Sequence, residues 1–485
     1  MKFEDYKLDA SICEALHTLG YQSPLPVQEA VIPLMLEKKD ILVKSRTGSG
    51  KTASFAIPII QDLIWEERSP QALVLSPTRE LALQIKGEFD NIGAYKRIKT
   101  AAVFGKQPFR FQAQDVKQRT HVVAGTPGRV LDHLEQGTLR TEKIRYIIID
   151  EADEMLNMGF IETVQKIFFR LPKNASVCMF SATLPQEIQE LAHDFLKQAE
   201  VVEIESQTSV SEQMHHYAYR MKEHEKPQAL LKLLCRELPE SCIIFAKTQE
   251  HVREICRMLY DKGISVDQLH GGMLQEDRLE NMKDFRLGKL RILTATDVAA
   301  RGIDVQDVTH IINYDMPNKK ETYIHRIGRS ARLDRSGTAI SFVSQYDDFR
   351  LQELEEYLGN ALEFHDSSEL EAVIADAETL RKLGTPKSQK EEKGKELRKD
   401  MMKLYLGGGK TKKIRPGDIV GAICEIEGVC GDDIGVIQVQ DHQSYVDILH
   451  GKGLQVLRAL RQKTIKGKKL KVERAKEWSY SCHKL

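Results

Sequence analysis

Residues 41–52 read ILVKSRTGSGKT, and this stretch decides the fold of the first part of the chain. A short apolar run, Ile41–Lys44, is followed by a loop with two glycines and then by helix-forming residues from Ala53 onward. A strand, a glycine-rich loop and a helix in this order can turn backbone N–H groups towards phosphate. Gly48 and Gly50 permit the close backbone approach that such binding needs. We predict a nucleotide phosphate loop; a flexible glycine-serine connection is the alternative interpretation.

The chemistry of this loop demands a partner elsewhere in the chain. Lys51 would reach the β- and γ-phosphates, and Thr52 would hold Mg²⁺. Residues 146–153 read YIIIDEAD, a strand pattern that ends in acidic residues. We expect Asp150 to hold Mg²⁺, directly or through water, and Glu151 to orient and activate the attacking water. An acidic helix start would explain the second motif alone but not the pair.

A third segment, His325–Arg332, contains three arginines, at 326, 329 and 332. Guanidinium groups stabilise the negative charge that develops on a transferring phosphoryl group. If this segment and the phosphate loop describe one site, ATP binds between two parts of the chain. A basic helix on a solvated face is the alternative.

Apolar runs and helical patterns alternate along two large blocks, which predicts parallel sheets covered on both faces. The expected strands of the first block are 41–44, 72–76, 100–104, 121–124, 146–149 and 177–180, and those of the second are 242–245, 266–269, 292–295, 310–313 and 338–343. The chain's 485 residues exceed one core and suggest about three domains. We place them at 1–206, 207–365 and 403–478, joined by a linker at 366–402 rich in Lys and Glu.

The third domain is expected to be a small α+β unit with the element order βαββαβ. Residues 401–485 hold 16 Lys plus Arg and 9 Asp plus Glu, whereas the whole chain has 71 of each. The basic charge is therefore segregated to the C-terminal region, which predicts a local nucleic-acid surface.

The sequence shows no apolar run approaching the ~20 residues of a membrane span, and its N-terminus lacks the apolar region of a signal peptide. The 8 cysteines are scattered without metal-ligand spacing. We expect free thiols and a cytoplasmic location.

Together these motifs resemble the DEAD-box RNA helicases, whose catalytic part has two tandem RecA-like domains. The resemblance covers residues 1 to about 365 and implies ATP and Mg²⁺ as cofactors and RNA, not DNA, as substrate. It implies that Gln28 reads the adenine edge and Phe3 packs on the base, that Asp304 contacts the ribose, and that Arg329 and Arg332 are arginine fingers. The phosphates would contact the whole loop, namely Ser45, Arg46, Thr47, Gly48, Ser49, Gly50, Lys51 and Thr52.

The resemblance further implies RNA contacts at Pro77, Arg79, Gly105, Thr126, Arg129, Arg278 and Thr296. Ser181 and Thr183 would couple the ATP state to strand separation, and His325 would link the second domain to the first. Such contacts grip phosphates and read no base sequence. The chain departs from the family pattern at Leu25, where Thr or Ser is usual, and at Lys106, where a second glycine is common.

Residues 403–474 resemble the RNA-recognition-motif-like domain of DbpA/YxiN-type helicases, which implies action on large-subunit ribosomal RNA in ribosome assembly. The glycine turn and cations of 407–413 suit a bent RNA backbone, with Lys410, Lys412 and Lys413 as candidate contacts. The region of the third strand has one aromatic residue, Tyr445, so loops or helix ends are expected to read the RNA. A basic protein-docking module is the alternative.

Two other functions fit parts of the pattern. A DNA-directed translocase would be stimulated equally by DNA and RNA of the same sequence. An RNA clamp with ATP as a structural ligand would not hydrolyse ATP in a single turnover, although it would not need both Glu151 and the arginine fingers.

Overall fold

A computed structural model of the chain describes residues 2–45, 48–204, 214–300, 308–328, 330, 337–386 and 394–475. The described residues form two seven-stranded parallel sheets and one four-stranded antiparallel sheet. The two parallel sheets and the small α+β domain confirm the expected fold class.

The first sheet has the strand order β3-β4-β2-β5-β6-β1-β7. Neighbouring positions on a strand belong to different cores: Val74 packs on one face of the sheet and Leu73 and Leu75 on the other. Both faces are covered, which is why these strands are continuous apolar runs. The strands are β1 Ile41–Lys44, β2 Ala72–Leu75, β3 Thr100–Val103, β4 Val122–Gly125, β5 Tyr146–Ile149, β6 Ser176–Ser181 and β7 Glu200–Glu203.

Nine helices belong to this part of the described chain. They are α1 Ala10–Thr18, α2 Pro26–Leu36, α3 Lys51–Asp62, α4 Arg79–Ile92, α5 Phe109–Val116, α6 Pro127–Glu135, α7 Ala152–Asn157, α8 Ile161–Phe168 and α9 Gln186–Phe195. A 3₁₀ turn, Phe3–Tyr6, precedes them.

The second sheet has the order β10-β11-β9-β12-β13-β8-β14. Numbered from its own first strand, this order is 3-4-2-5-6-1-7, the same permutation as in the first sheet. The two large blocks are therefore two copies of one fold, which the sequence had only suggested. Its strands are β8 Met214–Arg220, β9 Cys242–Phe245, β10 Val266–Leu269, β11 Ile292–Ala295, β12 His310–Asn313, β13 Gly337–Val343 and β14 Glu363–His365.

The described helices of this block are α10 Lys226–Glu237, α11 Gln249–Asp261, α12 Gln275–Arg286, α13 Asp297–Ala300, α14 Lys320–Ile327, α15 Asp348–Leu358, α16 Ser368–Glu371 and α17 Ala377–Gly384. The last two correct the predicted linker at 366–402. Leu370 and Leu383 are buried in the core of the second block, so its packing continues well past residue 365. The helix α18, Lys395–Asp400, precedes the third domain.

The third domain has the predicted order βαββαβ, with its strands arranged β16-β17-β15-β18. Its elements are β15 Met402–Leu406, α19 Pro416–Cys424, β16 Ile434–Val439, β17 Ser444–Ile448, α20 Gly453–Gln462 and β18 Val472–Arg474. One core joins Leu404 and Val446 of the sheet to Ile419 and Val456 of the helices. The opposite face of the sheet carries Tyr405.

No helix among the described residues is long and apolar enough to cross a bilayer. The seven cysteines in the described ranges are free thiols, and Cys424 and Cys430 are exposed.

Candidate functional site

Six predicted motifs lie at one edge of the first sheet, because each follows the carboxyl end of a parallel strand. The phosphate loop follows β1, Asp150 follows β5, and Ser181 ends β6, with these three strands adjacent in the order β5-β6-β1. The backbone N–H of Ser45 donates to the carbonyl of Ser181 at 2.9 Å. The sheet thus places the loop, the acidic pair and the coupling segment side by side.

The phosphate loop depends on its glycines. Gly48 and Gly50 have φ values of 80° and 92°, a region that favours glycine. A Cβ at Gly50 would lie 2.7 Å from both Gln28 Nε2 and Leu25 Cδ1. Lys51 begins α3, is buried, and donates from Nζ to the Ser45 carbonyl at 3.3 Å. The lysine is thereby held over the mouth of the loop, at the N-terminus of a twelve-residue helix.

Gln28 joins the loop to the residues before it. Its Oε1 accepts from Leu25 N at 2.9 Å, and its Nε2 donates to the Gly50 carbonyl at 3.2 Å. The departure at Leu25 replaces a hydroxyl by an apolar side chain that packs towards Gly50. Gln28 keeps its own link to the loop regardless of this replacement.

Phe3 is buried and meets Tyr21 edge-on, with ring centroids 6.0 Å apart. Both rings line a cavity of ≈ 410 Å³ together with Leu16 and Gly20. Its predicted packing on the adenine stays a prediction.

The acidic pair stands where β5 gives way to α7. Asp150 is 2% exposed, and its backbone N–H donates to Leu75 O at 3.0 Å. Glu151 has φ 55° and ψ 56°, a left-handed conformation that is strained for a side chain other than glycine. Backbone strain of this kind clusters at functional sites, where surrounding structure enforces it. Asp150 and Thr52 supply the hard oxygen donors that Mg²⁺ prefers, usually one or two from the protein beside water and phosphate.

The coupling segment is bound to Asp153, which sequence reasoning did not select. Asp153 Oδ2 accepts from both the N–H and the hydroxyl of Thr183 at 3.0 Å each. Ser181 Oγ accepts from Asp153 N at 3.2 Å and donates to the Thr183 carbonyl at 2.6 Å. Because Ser181 also receives the Ser45 N–H, one network connects the phosphate loop to Thr183.

The predicted RNA residues of the first block follow β2, β3 and β4, which are neighbours in the sheet. Thr78 caps the helix that starts at Arg79, accepting at Oγ1 from Leu81 N at 3.2 Å. Arg129 donates from Nη1 to Gln107 O and Gln112 Oε1, at 3.0 Å each. The structure brings together Pro77, Arg79, Gly105, Thr126 and Arg129 along this part of the edge.

Gln112 and His133 are buried partners of Arg129 that the sequence alone did not reveal. His133 stacks on Phe109 with centroids 4.2 Å apart, and its Nδ1 lies 2.7 Å from Thr138 Oγ1. Burial, and then the charge of Arg129, lower the pKa of His133 to about 4. The ring is therefore neutral near pH 7 and adds no charge to the arginine beside it.

In the second block, Thr296 is buried at the end of β11, and Arg278 donates from Nη2 to the Ala299 carbonyl at 3.3 Å. His325 lies near the end of α14. The neighbouring Arg326 is structural: it is 2% exposed and pairs through two nitrogens with Asp297. Its third nitrogen donates to Asn313 Oδ1 at 2.8 Å. Of the three arginines in this segment, Arg326 is thus committed to the domain core.

Five predicted site residues lie outside the described residues: Arg46, Thr47, Asp304, Arg329 and Arg332. Their roles stay predictions. In the described ranges no three His, Cys, Asp or Glu side chains form a metal-binding cluster.

The third domain joins two lysine clusters that are about fifty residues apart in sequence. Lys466 Nζ donates to the Lys413 carbonyl at 2.9 Å, and Lys468 Nζ donates to the Lys412 carbonyl at 2.7 Å. Lys410 lies 3.8 Å from Asp441. We call residues 410–413 and 466–469 the lysine surface. Sequence reasoning had listed the first cluster alone as candidate contacts.

The sheet of this domain carries a pair of aromatic rings rather than one. Tyr405 of β15 lies opposite Tyr445 of β17, and their rings meet edge-on with centroids 5.8 Å apart. The third strand alone therefore understated the aromatic character of this face.

Three family models match the chain in order along its length. "DEAD/DEAH box helicase" matches residues 25–191, "Helicase conserved C-terminal domain" matches 225–334, and "DbpA RNA binding domain" matches 403–474. The ATP-dependent RNA helicase DbpA of Bacillus subtilis is 48% identical over 474 residues, which cover 98% of this chain and 99% of that protein. The DEAD-box helicase CshA of Geobacillus kaustophilus is 38% identical over 73% of this chain and 76% of its own.

Solved structures agree with these relatives. Dbp5 of S. cerevisiae bound to RNA and ADP BeF3 superposes with a TM-score of 0.68 at 29% identity, covering 79% of this chain and 100% of that one. Mss116p bound to ssRNA and AMP-PNP gives a TM-score of 0.69 at 27% identity, covering 78% and 82%. The chain therefore belongs to the DEAD-box family of ATP-dependent RNA helicases, and its C-terminal domain makes it a helicase of the DbpA type.

Proposed function

We propose that this helicase hydrolyses ATP to melt short duplexes in large-subunit ribosomal RNA during ribosome assembly, in the cytoplasm. The lysine surface carries the proposal, because it gathers cations on a domain separate from the catalytic edge. A helicase core that grips only phosphates has no means of choosing among RNAs. A second RNA-binding domain on the same chain raises the effective concentration of the core near one target.

The proposed ATP chemistry uses the edge of the first sheet. Lys51 and the loop amides bind the β- and γ-phosphates, while Thr52 and Asp150 would hold Mg²⁺, which neutralises phosphate charge when bound. Glu151 orients a water and accepts its proton. The water oxygen forms a bond to the γ-phosphorus as the bond to the bridging oxygen breaks, giving ADP and phosphate.

The remaining proposed contacts are carried over from the family pattern. Gln28 and Phe3 bind the adenine and Asp304 binds the ribose. Arg329 and Arg332 stabilise the charge on the transferring phosphoryl group.

The proposed coupling runs through Asp153. When the acidic pair and phosphate loop engage ATP, the Asp153 hydrogen bonds transmit that state to Ser181 and Thr183. RNA would be gripped nearby by Pro77, Arg79, Gly105, Thr126 and Arg129, and on the second block by Arg278 and Thr296. His325 would link the second block to the first.

RNA choice is tested by the ATPase activity of the full chain. We expect large-subunit ribosomal RNA to stimulate hydrolysis far more than poly(A) at equal nucleotide concentration. Equal stimulation by the two RNAs would refute the ribosomal assignment and leave the helicase activity standing.

The role of the lysine surface is tested by a matched pair of variants. Lys412→Gln combined with Lys468→Gln removes two cations from the surface, and Arg458→Gln removes one exposed cation from α20. We expect the double variant to lose the preference for ribosomal RNA while retaining stimulation by poly(A). An unchanged preference in the double variant would remove the lysine surface from RNA selection.

A further inference from the structure

Lys106 occupies a backbone position that suits glycine. Its φ is 61°, in the left-handed region where an L side chain is strained and glycine is not. Related helicases commonly have a glycine at this position, and this chain accepts the strain in order to carry an exposed cation there. Strain retained at one residue usually marks a functional constraint.

The loop that holds Lys106 is fixed to the proposed RNA residues on both sides. A Cβ built on Gly105 would lie 3.6 Å from Arg79 Nη2. On the other side, the Gln107 carbonyl accepts from Arg129 Nη1 at 3.0 Å, and Gln107 Oε1 accepts from Gln112 Nε2 at 3.2 Å. Lys106 is therefore presented from a braced loop at the same edge of the sheet.

A second exposed cation, Arg110, follows in the first turn of α5. Its guanidinium carbon lies 6.0 Å from the ring centre of Phe111, which is 46% exposed. In the part of the chain that the structure describes, neither Lys106 nor Arg110 lies within ion-pair distance of a carboxylate. Cations without local compensation are available to phosphate.

We propose that Lys106 and Arg110 form an additional contact for the phosphodiester backbone of single-stranded RNA, next to the contacts of Arg79 and Arg129. The inference rests on the proposed RNA roles of those two arginines. It gives this chain two phosphate contacts where a Gly-Gly loop would offer its backbone alone.

The test is the salt dependence of binding to a fluorescently labelled oligo(U), measured with the full chain and a non-hydrolysable ATP analogue. Lys106→Gly removes the cation and relieves the backbone, so it should fold at least as well as the parent. Arg110→Gln removes the second cation. The matched control is Lys117→Gln, which removes an exposed cation just past the far end of the same helix, about 12 Å along its axis.

Each phosphate contact contributes about 0.7 to the slope of log affinity against log salt for single strands. We therefore expect the slope to fall by about 0.7 in Lys106→Gly and by about 1.4 in the double variant. Between about 50 and 200 mM salt, the affinity ratio of wild type to Lys106→Gly should shrink roughly 2.6-fold. Lys117→Gln should keep the parental slope.

The outcomes separate this inference from the site on which it rests. If Lys106→Gly and Arg110→Gln keep the parental slope while Arg79→Gln lowers it, the additional contact does not exist and the proposed RNA residues stand. If Arg79→Gln also leaves the slope unchanged, the RNA assignment of this edge fails as well.

Discussion

Replacing Gly50 by alanine tests whether the phosphate loop and the proposed adenine reader form one unit. The residue has φ 92°, and a Cβ there would lie 2.7 Å from Gln28 Nε2 and from Leu25 Cδ1. Ordinary contacts between such atoms are about 3.5–4.0 Å, so the helix start, Gln28 or Leu25 must move. The Gln28 hydrogen bond to the Gly50 carbonyl lies directly in the path of that movement.

The expected loss has two parts. A left-handed conformation costs a non-glycine residue roughly 1–2 kcal/mol, and this part destabilises the fold. Displacing Gln28 forfeits a hydrogen bond worth about 0.5–1.5 kcal/mol and misplaces loop amides that face phosphate. If about 1–3 kcal/mol of this falls on the bound state, nucleotide affinity drops roughly 5- to 150-fold.

Gly137 provides the matched control. It has φ 63° and follows the far end of α6, and nothing lies within 4 Å of a Cβ built there. Gly137→Ala should lower the thermal midpoint about as much as the backbone part of Gly50→Ala, with unchanged affinity for a fluorescent ATP analogue. Equal nucleotide affinity in Gly50→Ala and Gly137→Ala would refute the reasoning that joins Gln28 to the loop.

Three further outcomes are expected. Thr183→Val removes a donor to the buried Asp153 carboxylate, worth about 1.5–3 kcal/mol, so duplex unwinding should fall roughly 10-fold or more while ATP hydrolysis falls less; parallel losses in the two assays would contradict the coupling role. Glu151→Gln should abolish single-turnover hydrolysis yet bind the ATP analogue, and full turnover would exclude Glu151 as the water activator. Because His133 has a pKa near 4 against an ordinary 6.5, unfolded chains take up its proton first, and stability is lost as pH falls from about 6.5 to 4. The thermal-midpoint advantage of wild type over His133→Gln should therefore shrink over that range, by at most about 3 kcal/mol and less where solvent screens the ring; a constant difference would show that the ring is not held neutral.

The sequence predicted best those strands that are buried on both faces. Ile41–Lys44, Tyr146–Ile149 and Cys242–Phe245 have the predicted bounds to the residue, because apolar runs there meet turn or charged residues abruptly. Three strands were missed for a shared reason. Glu200–Glu203 and Glu363–His365 are edge strands with charged or polar residues, and both stay largely exposed. Their pairing is imposed by the neighbouring strand rather than by their own hydrophobicity.

Composition was misleading in the segment that was taken as a linker. Lys and Glu dominate residues 366–402, yet a single leucine on each of two short helices is enough to attach them to the second block. Leu383 is fully buried although α17 is otherwise half or more exposed. A count of apolar residues cannot find such a helix, because its stability comes from one contact with an existing core.

The candidate site was predictable to the extent that its residues follow strand ends in sequence. Lys51, Asp150 and Glu151 could be found because a phosphate loop and an acidic strand end are local patterns. Asp153 and Gln112 could not, since their importance lies in hydrogen bonds to Thr183 and Arg129, residues that are distant in sequence.

The two sheets show why the fold alone does not specify the chemistry. Their strand orders are identical, so β8 of the second sheet occupies the place of β1 in the first. After β1 the chain runs into the glycine loop and Lys51, whereas after β8 it runs through Met221 and a 3₁₀ turn, Glu223–Glu225, into α10. No glycine separates β8 from α10, and the turn that precedes this helix carries two glutamates that would repel phosphate. The same architecture therefore has a phosphate-binding helix N-terminus in only one of its copies, and function follows the loop rather than the sheet.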